Sequence, residues 1–149
     1  MNLKPVILHA DDDANDRLLV QIACARAGLS CVLRAAADGE EAISYVKGDG
    51  EYADRASHPL PDLVLLDLKL PRKSGFEVLE WIRNNRETRD LPVIILSSSS
   101  HEKDVTQARE MGASDYFTKP VSIRQLQALL KEICQKWLGR EVYNDSAAG

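Results

Sequence analysis

Five short apolar runs recur along the chain, each followed by polar residues and then by a stretch of helical spacing. Val6-Ile7-Leu8, Cys31-Val32-Leu33, Leu63-Val64-Leu65-Leu66, Pro92-Val93-Ile94-Ile95-Leu96 and Tyr116-Phe117-Thr118 are too short for helices. The longer ones are continuously apolar, as expected of strands covered on both faces in a parallel sheet. Between the runs the apolar spacing predicts helices. Asp13 or Asn15 can cap the first, which runs to about Ala27 with Leu18, Leu19, Ile22 and Ala25 on one face and Gly28 as its stop. Asp38 and Glu41 resemble a capping box and open a second helix through Ala42, Ile43 and Val46. Ser74 can cap a third with Phe76, Leu79 and Ile82 as its buried stripe. The fourth, about His101 to Met111, has only Val105, Ala108 and Met111 as an apolar face, so weak anchoring is expected. Ser122 and Gln125 open the fifth, whose core positions are Leu126, Leu129, Leu130, Ile133 and Trp137.

Strands alternating with helices in this way predict an α/β fold: a five-stranded parallel sheet flanked by five helices on both faces. From Gly48 to Pro61 the periodicity dissolves into a surface loop longer than most connections. Residues 1–139 read as one domain and residues 140–149 as a loose tail. A net charge of −4 provides no basic footprint for direct nucleic-acid binding, and no apolar run approaches the roughly 20 residues that span a membrane. Cys24, Cys31 and Cys134 lack metal-site spacing, which suits a reduced, cytoplasmic protein with packing or surface thiols. His9, His58 and His101 have no spacing that suggests a metal site or a triad.

Three of the predicted strands end in complementary chemistry. The first gives Asp11, Asp12 and Asp13, the third Asp67, and the fourth a serine run from Ser97 to Ser100. In open α/β sheets, ligands gather beyond the carboxyl ends of the strands. If these strands are neighbours, the carboxylates converge, and two such charges about 4 Å apart at an effective dielectric near 20 repel by about 4 kcal/mol. A hard divalent cation with oxygen ligands relieves that repulsion, and Mg²⁺ suits phosphoryl chemistry best. Lys119, after the fifth run, can neutralise a phosphoryl oxygen, and a serine hydroxyl can donate to another.

In this order the pieces resemble the receiver domain of a two-component response regulator. The resemblance rests on the acidic pair after strand one and on Leu65-Leu66-Asp67-Leu68-Lys69-Leu70-Pro71, with Gly75 eight residues past the acid. It extends to the hydroxyl after strand four and to Gly112-Ala113-Ser114-Asp115-Tyr116-Phe117-Thr118-Lys119-Pro120, and the match covers about Val6 to Leu138. It implies a flavodoxin-like receiver fold with strand order 2-1-3-4-5, and Asp67 as the acceptor of a phosphoryl group from a sensor histidine kinase. Mg²⁺ would be held by Asp12 directly, Asp11 through water, Asp67, and the backbone carbonyl of Lys69. Ser97 and Lys119 would contact the phosphoryl group, Tyr116 would switch rotamer, Gly75 would permit the tight path after strand three, and the Lys119–Pro120 bond would be cis. Such a protein is a phosphoacceptor that phosphorylates itself in the presence of Mg²⁺ and dephosphorylates slowly, and is not a turnover enzyme. It would signal to a downstream protein or phosphotransfer partner through the face of helix four, strand five and helix five. A phosphate-independent interaction module on the same fold is the alternative, against which the full set of five residues argues.

Two other families fail on residues. A haloacid-dehalogenase-like phosphatase would need a second Asp where Lys69 stands, and an FMN carrier would not place three Asp where it cradles phosphate. Gly50-Glu51-Tyr52-Ala53 and Lys136-Trp137-Leu138 further resemble single-domain regulators paired with bacterial phytochrome kinases. That likeness, with the apolar stripe of helix five, implies a homodimer through the helix-four to helix-five face.

Overall fold

The computed structural model describes residues 4–139. Its strands are β1 (Val6–Ala10), β2 (Val32–Ala36), β3 (Leu63–Leu66), β4 (Val93–Ser97) and β5 (Asp115–Thr118). The helices are α1 (Ala14–Arg26), α2 (Gly39–Lys47), α3 (Gly75–Asn84), α4 (Glu102–Glu110) and α5 (Ile123–Leu138). The strands pair in parallel in the order β2-β1-β3-β4-β5, as expected. Each apolar run is divided by the pleat, successive side chains pointing to opposite faces. Leu8, Ala10, Val64, Leu66, Val93 and Ile95 pack with α2, α3 and Ala108 of α4, whereas Ile7, Leu63, Leu65, Ile94 and Leu96 pack with α1 and α5.

The helix starts follow the sequence closely. Asp13 caps α1 by accepting from the Asn15 and Asp16 N–H groups. Ser74 and Glu77 complete a full capping box at α3. At α2 the box is displaced: Asp38 accepts from the Glu41 N–H, but the Glu41 carboxylate reaches back to the Ala37 N–H. The β2 and β5 segments run longer than their apolar cores suggest.

Two expectations need correction. The buried face of α1 is Val20, Ala23 and Cys24, continued by Ala27, whereas Leu18 and Leu19 are 52% and 42% exposed. Apolar residues occur on several sides of this helix, so periodicity alone does not choose a face. The small residues at positions 23 and 24 belong to the same core cluster as Leu126, Leu130, Ile133 and Cys134 of α5. The long loop is also more ordered than its composition suggests. It holds a 3₁₀ turn at Gly50–Ala53, and Arg55 donates to the carbonyls of Tyr45, Val46 and His58, closing the C-terminal end of α2. The rings of Tyr45, Tyr52 and His58 pack into one cluster beside it, the histidine edge-on to both tyrosines.

Among the described residues, no helix is long and apolar enough to cross a membrane. Residues 140–149 lie outside the described residues.

Candidate functional site

The acids meet because β1 and β3 are adjacent. The backbone N–H of Asp11 donates to the carbonyl of Ala36 at 3.0 Å, and that of Asp67 donates to the carbonyl of Ala10 at 3.0 Å, so both acids prolong the ladder by one residue. Asp11 is wholly buried and Asp67 is 5% exposed. With the exposed Asp12, they place carboxylate oxygens within 4.8 Å of one another. Asp11 and Asp67 are also fixed locally, the Asp13 N–H donating to Asp11 Oδ1 at 2.9 Å and the Lys69 N–H to Asp67 Oδ1 at 3.2 Å. The Lys69 side chain points to solvent.

Gly75 makes the path after β3 possible by close approach. Its N–H donates to the Leu68 carbonyl at 2.9 Å, and a Cβ there would lie 2.3 Å from the Asp67 carbonyl oxygen.

Lys119 enters from β5. Its backbone N–H donates to the Ser97 carbonyl at 2.8 Å, tying the ends of β4 and β5 together. Its Nζ lies 2.9 Å from Asp67 Oδ2, 2.8 Å from Asp11 Oδ2 and 2.7 Å from Asp16 Oδ2. Burial alone would discourage the ammonium, but the bonds to Asp11, Asp16 and Asp67 outweigh it and hold the Lys119 pKa above the ordinary lysine value. Asp11 moves upward from the usual carboxylate value through burial, partly offset by Lys119 and the Asp13 N–H. The buried His9 imidazole, with Nε2 3.7 Å from Asp11 Oδ2, is lowered to about 4 by burial and then by Lys119. It is therefore a neutral neighbour at pH 7.

Ser97 is buried at the end of β4, where its Oγ accepts from the Ser99 N–H at 3.2 Å. Register pairs Leu66 with Ile95, which sets Ser97 one residue beyond the level of Asp67 on the next strand. Ser99 organises the start of α4: its Oγ accepts from the His101 N–H and donates to Asp104 Oδ2 at 2.6 Å. Tyr116 is buried, and its hydroxyl donates to the Ser99 carbonyl at 2.7 Å. The Lys119–Pro120 bond is trans, as are all described peptide bonds, contrary to the expectation from resemblance. An X–Pro bond discriminates weakly between isomers, so local context decides.

Asp16 is the site residue that sequence reading missed. It stands three residues past the capping Asp13, in the first turn of the helix that leaves the strand-one acids, and that place is the signal that could have found it. Arg17, next in sequence, donates from Nη1 to the Asp11 carbonyl at 2.6 Å.

Four carboxylates, those of Asp11, Asp12, Asp16 and Asp67, thus face two cations, Lys119 and Arg17. The surplus is two negative charges. An all-oxygen donor set with one exposed member fits a hard divalent cation. A small cavity of about 40 Å³ lies beside Asp11, Asp16 and Lys119, walled by Leu19, Val20 and Leu126. A groove of about 970 Å³ lies at the opposite end of the sheet, lined by Lys4, Val6, Val32, Leu60 and Trp137, away from the acids.

A parallel sheet of this order, with an acid cluster and a lysine beyond its strand ends, defines a response regulator receiver. Residues 7–131 match the model of the response regulator receiver domain, and the chain belongs to that family. The response regulator Rcp1 of Synechocystis sp. (strain ATCC 27184 / PCC 6803 / Kazusa) is 34% identical over 137 residues, covering 92% of this chain and 91% of Rcp1. The crystal structure of the phosphorylated cyanobacterial phytochrome response regulator RcpA is similar at a TM-score of 0.83 and 34% identity, covering 91% of this chain and 95% of that one. The Mn(2+)-bound form of Rcp1 is similar at a TM-score of 0.79 and 34% identity, covering 90% of this chain and 94% of that one.

Proposed function

We propose that this receiver accepts a phosphoryl group on Asp67 from the phosphohistidine of a sensor histidine kinase. The observation that carries the reading is the buried Asp67 carboxylate, set between two further carboxylates and 2.9 Å from the Lys119 ammonium. An Asp67 oxygen attacks phosphorus, the P–O bond forms as the P–N bond breaks, and the imidazole nitrogen keeps the electron pair and takes up a proton. Lys119 neutralises a phosphoryl oxygen and Ser97 donates to another. Asp11, Asp12, Asp67 and the Lys69 carbonyl would hold Mg²⁺. When bound, that ion supplies charge neutralisation at the transferring phosphoryl oxygens.

The phosphohistidine donor is carried by another protein. Leu18, Leu19 and the 97%-exposed Val121 stand near the site, on α1 and just after Lys119-Pro120, and offer such a partner apolar contact. Likeness to Rcp1 and RcpA supports a phytochrome-type kinase as that partner. On phosphorylation, movement of Ser97 and its loop changes the Ser99 carbonyl that Tyr116 bonds, altering the α4-β5-α5 face and its contacts with a downstream protein or a second copy.

Incubation with phosphoramidate and Mg²⁺ tests the chemistry by intact mass. A gain of about 80 Da, one phosphoryl group, that disappears in Asp67→Asn is expected. No gain, or a gain that survives the substitution, overturns the reading and leaves the phosphate-independent module.

A further inference from the structure

We propose that Asp16 is a positioning residue that divides the Lys119 ammonium and so restrains phosphorylation of Asp67; the proposal rests on Asp67 being the acceptor. An ammonium has three N–H donors, and here three carboxylates surround Nζ: Asp16 at 2.7 Å, Asp11 at 2.8 Å and Asp67 at 2.9 Å. Two of them, Asp16 and Asp67, accept hydrogen bonds from Nζ, whereas Asp11 Oδ2 is close without accepting one, so an incoming phosphoryl oxygen competes with Asp16 for the ammonium. Asp16 is the one carboxylate of the three that does not belong to the converging set of Asp11, Asp12 and Asp67. A cation held by that set would compete with Nζ for Asp11 and Asp67 but not for Asp16.

The Asp16 backbone is anchored on α1, away from the acceptor strand. It lies in the first turn of α1, where its own N–H donates to the capping carboxylate of Asp13 at 3.3 Å. Its negative charge stands one ammonium away from Asp67 and repels the dianionic group that Asp67 gains. The Asp16 side chain is 33% exposed, so solvent screens this charge and the effect is moderate.

The test compares wild type with Asp16→Asn and Asp16→Glu. Phosphoramidate serves as donor: an Asp67 oxygen bonds to phosphorus as the P–N bond breaks, and the nitrogen leaves as ammonia after taking up a proton. Asp16→Asn keeps the shape and an acceptor oxygen but removes the charge. Phosphorylation in Mg²⁺ is expected to be about three- to tenfold faster, with beryllium fluoride, a phosphoryl mimic, bound tighter by a similar factor. Calorimetry should show Mg²⁺ itself binding more weakly, because the site has lost a negative charge. Asp16→Glu restores wild-type behaviour on all three measures. Damage to the fold moves all three toward loss, whereas this account requires two gains and one loss. An Asp16→Asn protein phosphorylated no faster than wild type overturns the role of Asp16 alone. A wild type that takes no phosphoryl group overturns both this inference and the reading of Asp67.

Discussion

Charge balance is the principal constraint at the scale of single residues. Lys119 answers three carboxylates, and the neutral His9 fills the buried space beside Asp11 without adding a cation. The histidine has a stability consequence with a definite sign. Its pKa is about 4 in the folded chain against an ordinary 6.5, so as pH falls through that window the unfolded chain takes up the proton first. Stability is lost between pH 6.5 and 4, and at about 1.4 kcal/mol per unit the full loss is on the order of 3 kcal/mol. Asp11, shifted upward, acts in the opposite sense as it protonates in the folded state first. His9→Gln should therefore flatten the acid side of the stability curve, read from urea unfolding at pH 6.5 and 4.5. An unchanged slope contradicts the assignment. Sequence alone made Asp11, Asp12, Asp67 and Lys119 legible, because strand ends and residue order set their meeting place. Asp16 was hidden because a carboxylate in the first turn of a helix already has an ordinary explanation in the helix dipole.

At the scale of elements, the β3-to-α3 connection is the most tightly constrained. A methyl group at position 75 meets the Asp67 carbonyl oxygen at 2.3 Å and the Leu68 Cα at 2.6 Å, both backbone atoms that cannot swing aside. Gly75→Ala should cost about 3 kcal/mol in urea unfolding, since the chain must shift where it carries the acceptor. Near-wild-type stability would show that the loop relaxes freely. The small apolar face of α4 was legible in its composition: Ala108 alone is buried in the helix, with Val105 and, just past its end, Met111 packed against the core. The face of α1 was not legible, because two apolar stripes compete on one helix and tertiary packing selected the one with smaller residues. The ordering of the 48–61 loop was equally invisible. It depends on one guanidinium reaching carbonyls nine and ten residues back, which no local pattern announces.

For the whole molecule, the strand order brings the chemistry to one end of the sheet, with Leu18 and Leu19 exposed on α1 and Val121 exposed after Pro120. Leu18→Ser with Leu19→Ser should slow phosphotransfer from a cognate histidine kinase about tenfold, by removing apolar contact. Phosphorylation by phosphoramidate should be unaffected, and equal slowing of both donors would place these residues in the chemistry instead. Most of the α5 stripe packs inside, with Leu126, Leu130, Ile133 and Cys134 buried, which leaves Leu129 and Trp137 half-buried. The proposed homodimer through the α4-β5-α5 face would therefore use Leu129 and other partly exposed positions, and it is expected with a phosphoryl mimic bound. Light scattering should give a dimeric mass with beryllium fluoride and Mg²⁺, and a monomeric mass under both conditions contradicts that face as a dimer interface.

The claim at the centre is that Asp67, among several clustered acids, is the atom-level acceptor. Borohydride reduction of the phosphorylated protein converts an acyl phosphate to the alcohol, turning that aspartate into homoserine, and peptide mass spectrometry locates it. Homoserine at position 67, formed only when donor and Mg²⁺ were both present, is the expected result. Reduction at Asp11, Asp12 or Asp16, or an Asp67 recovered intact from phosphorylated protein, would contradict the account.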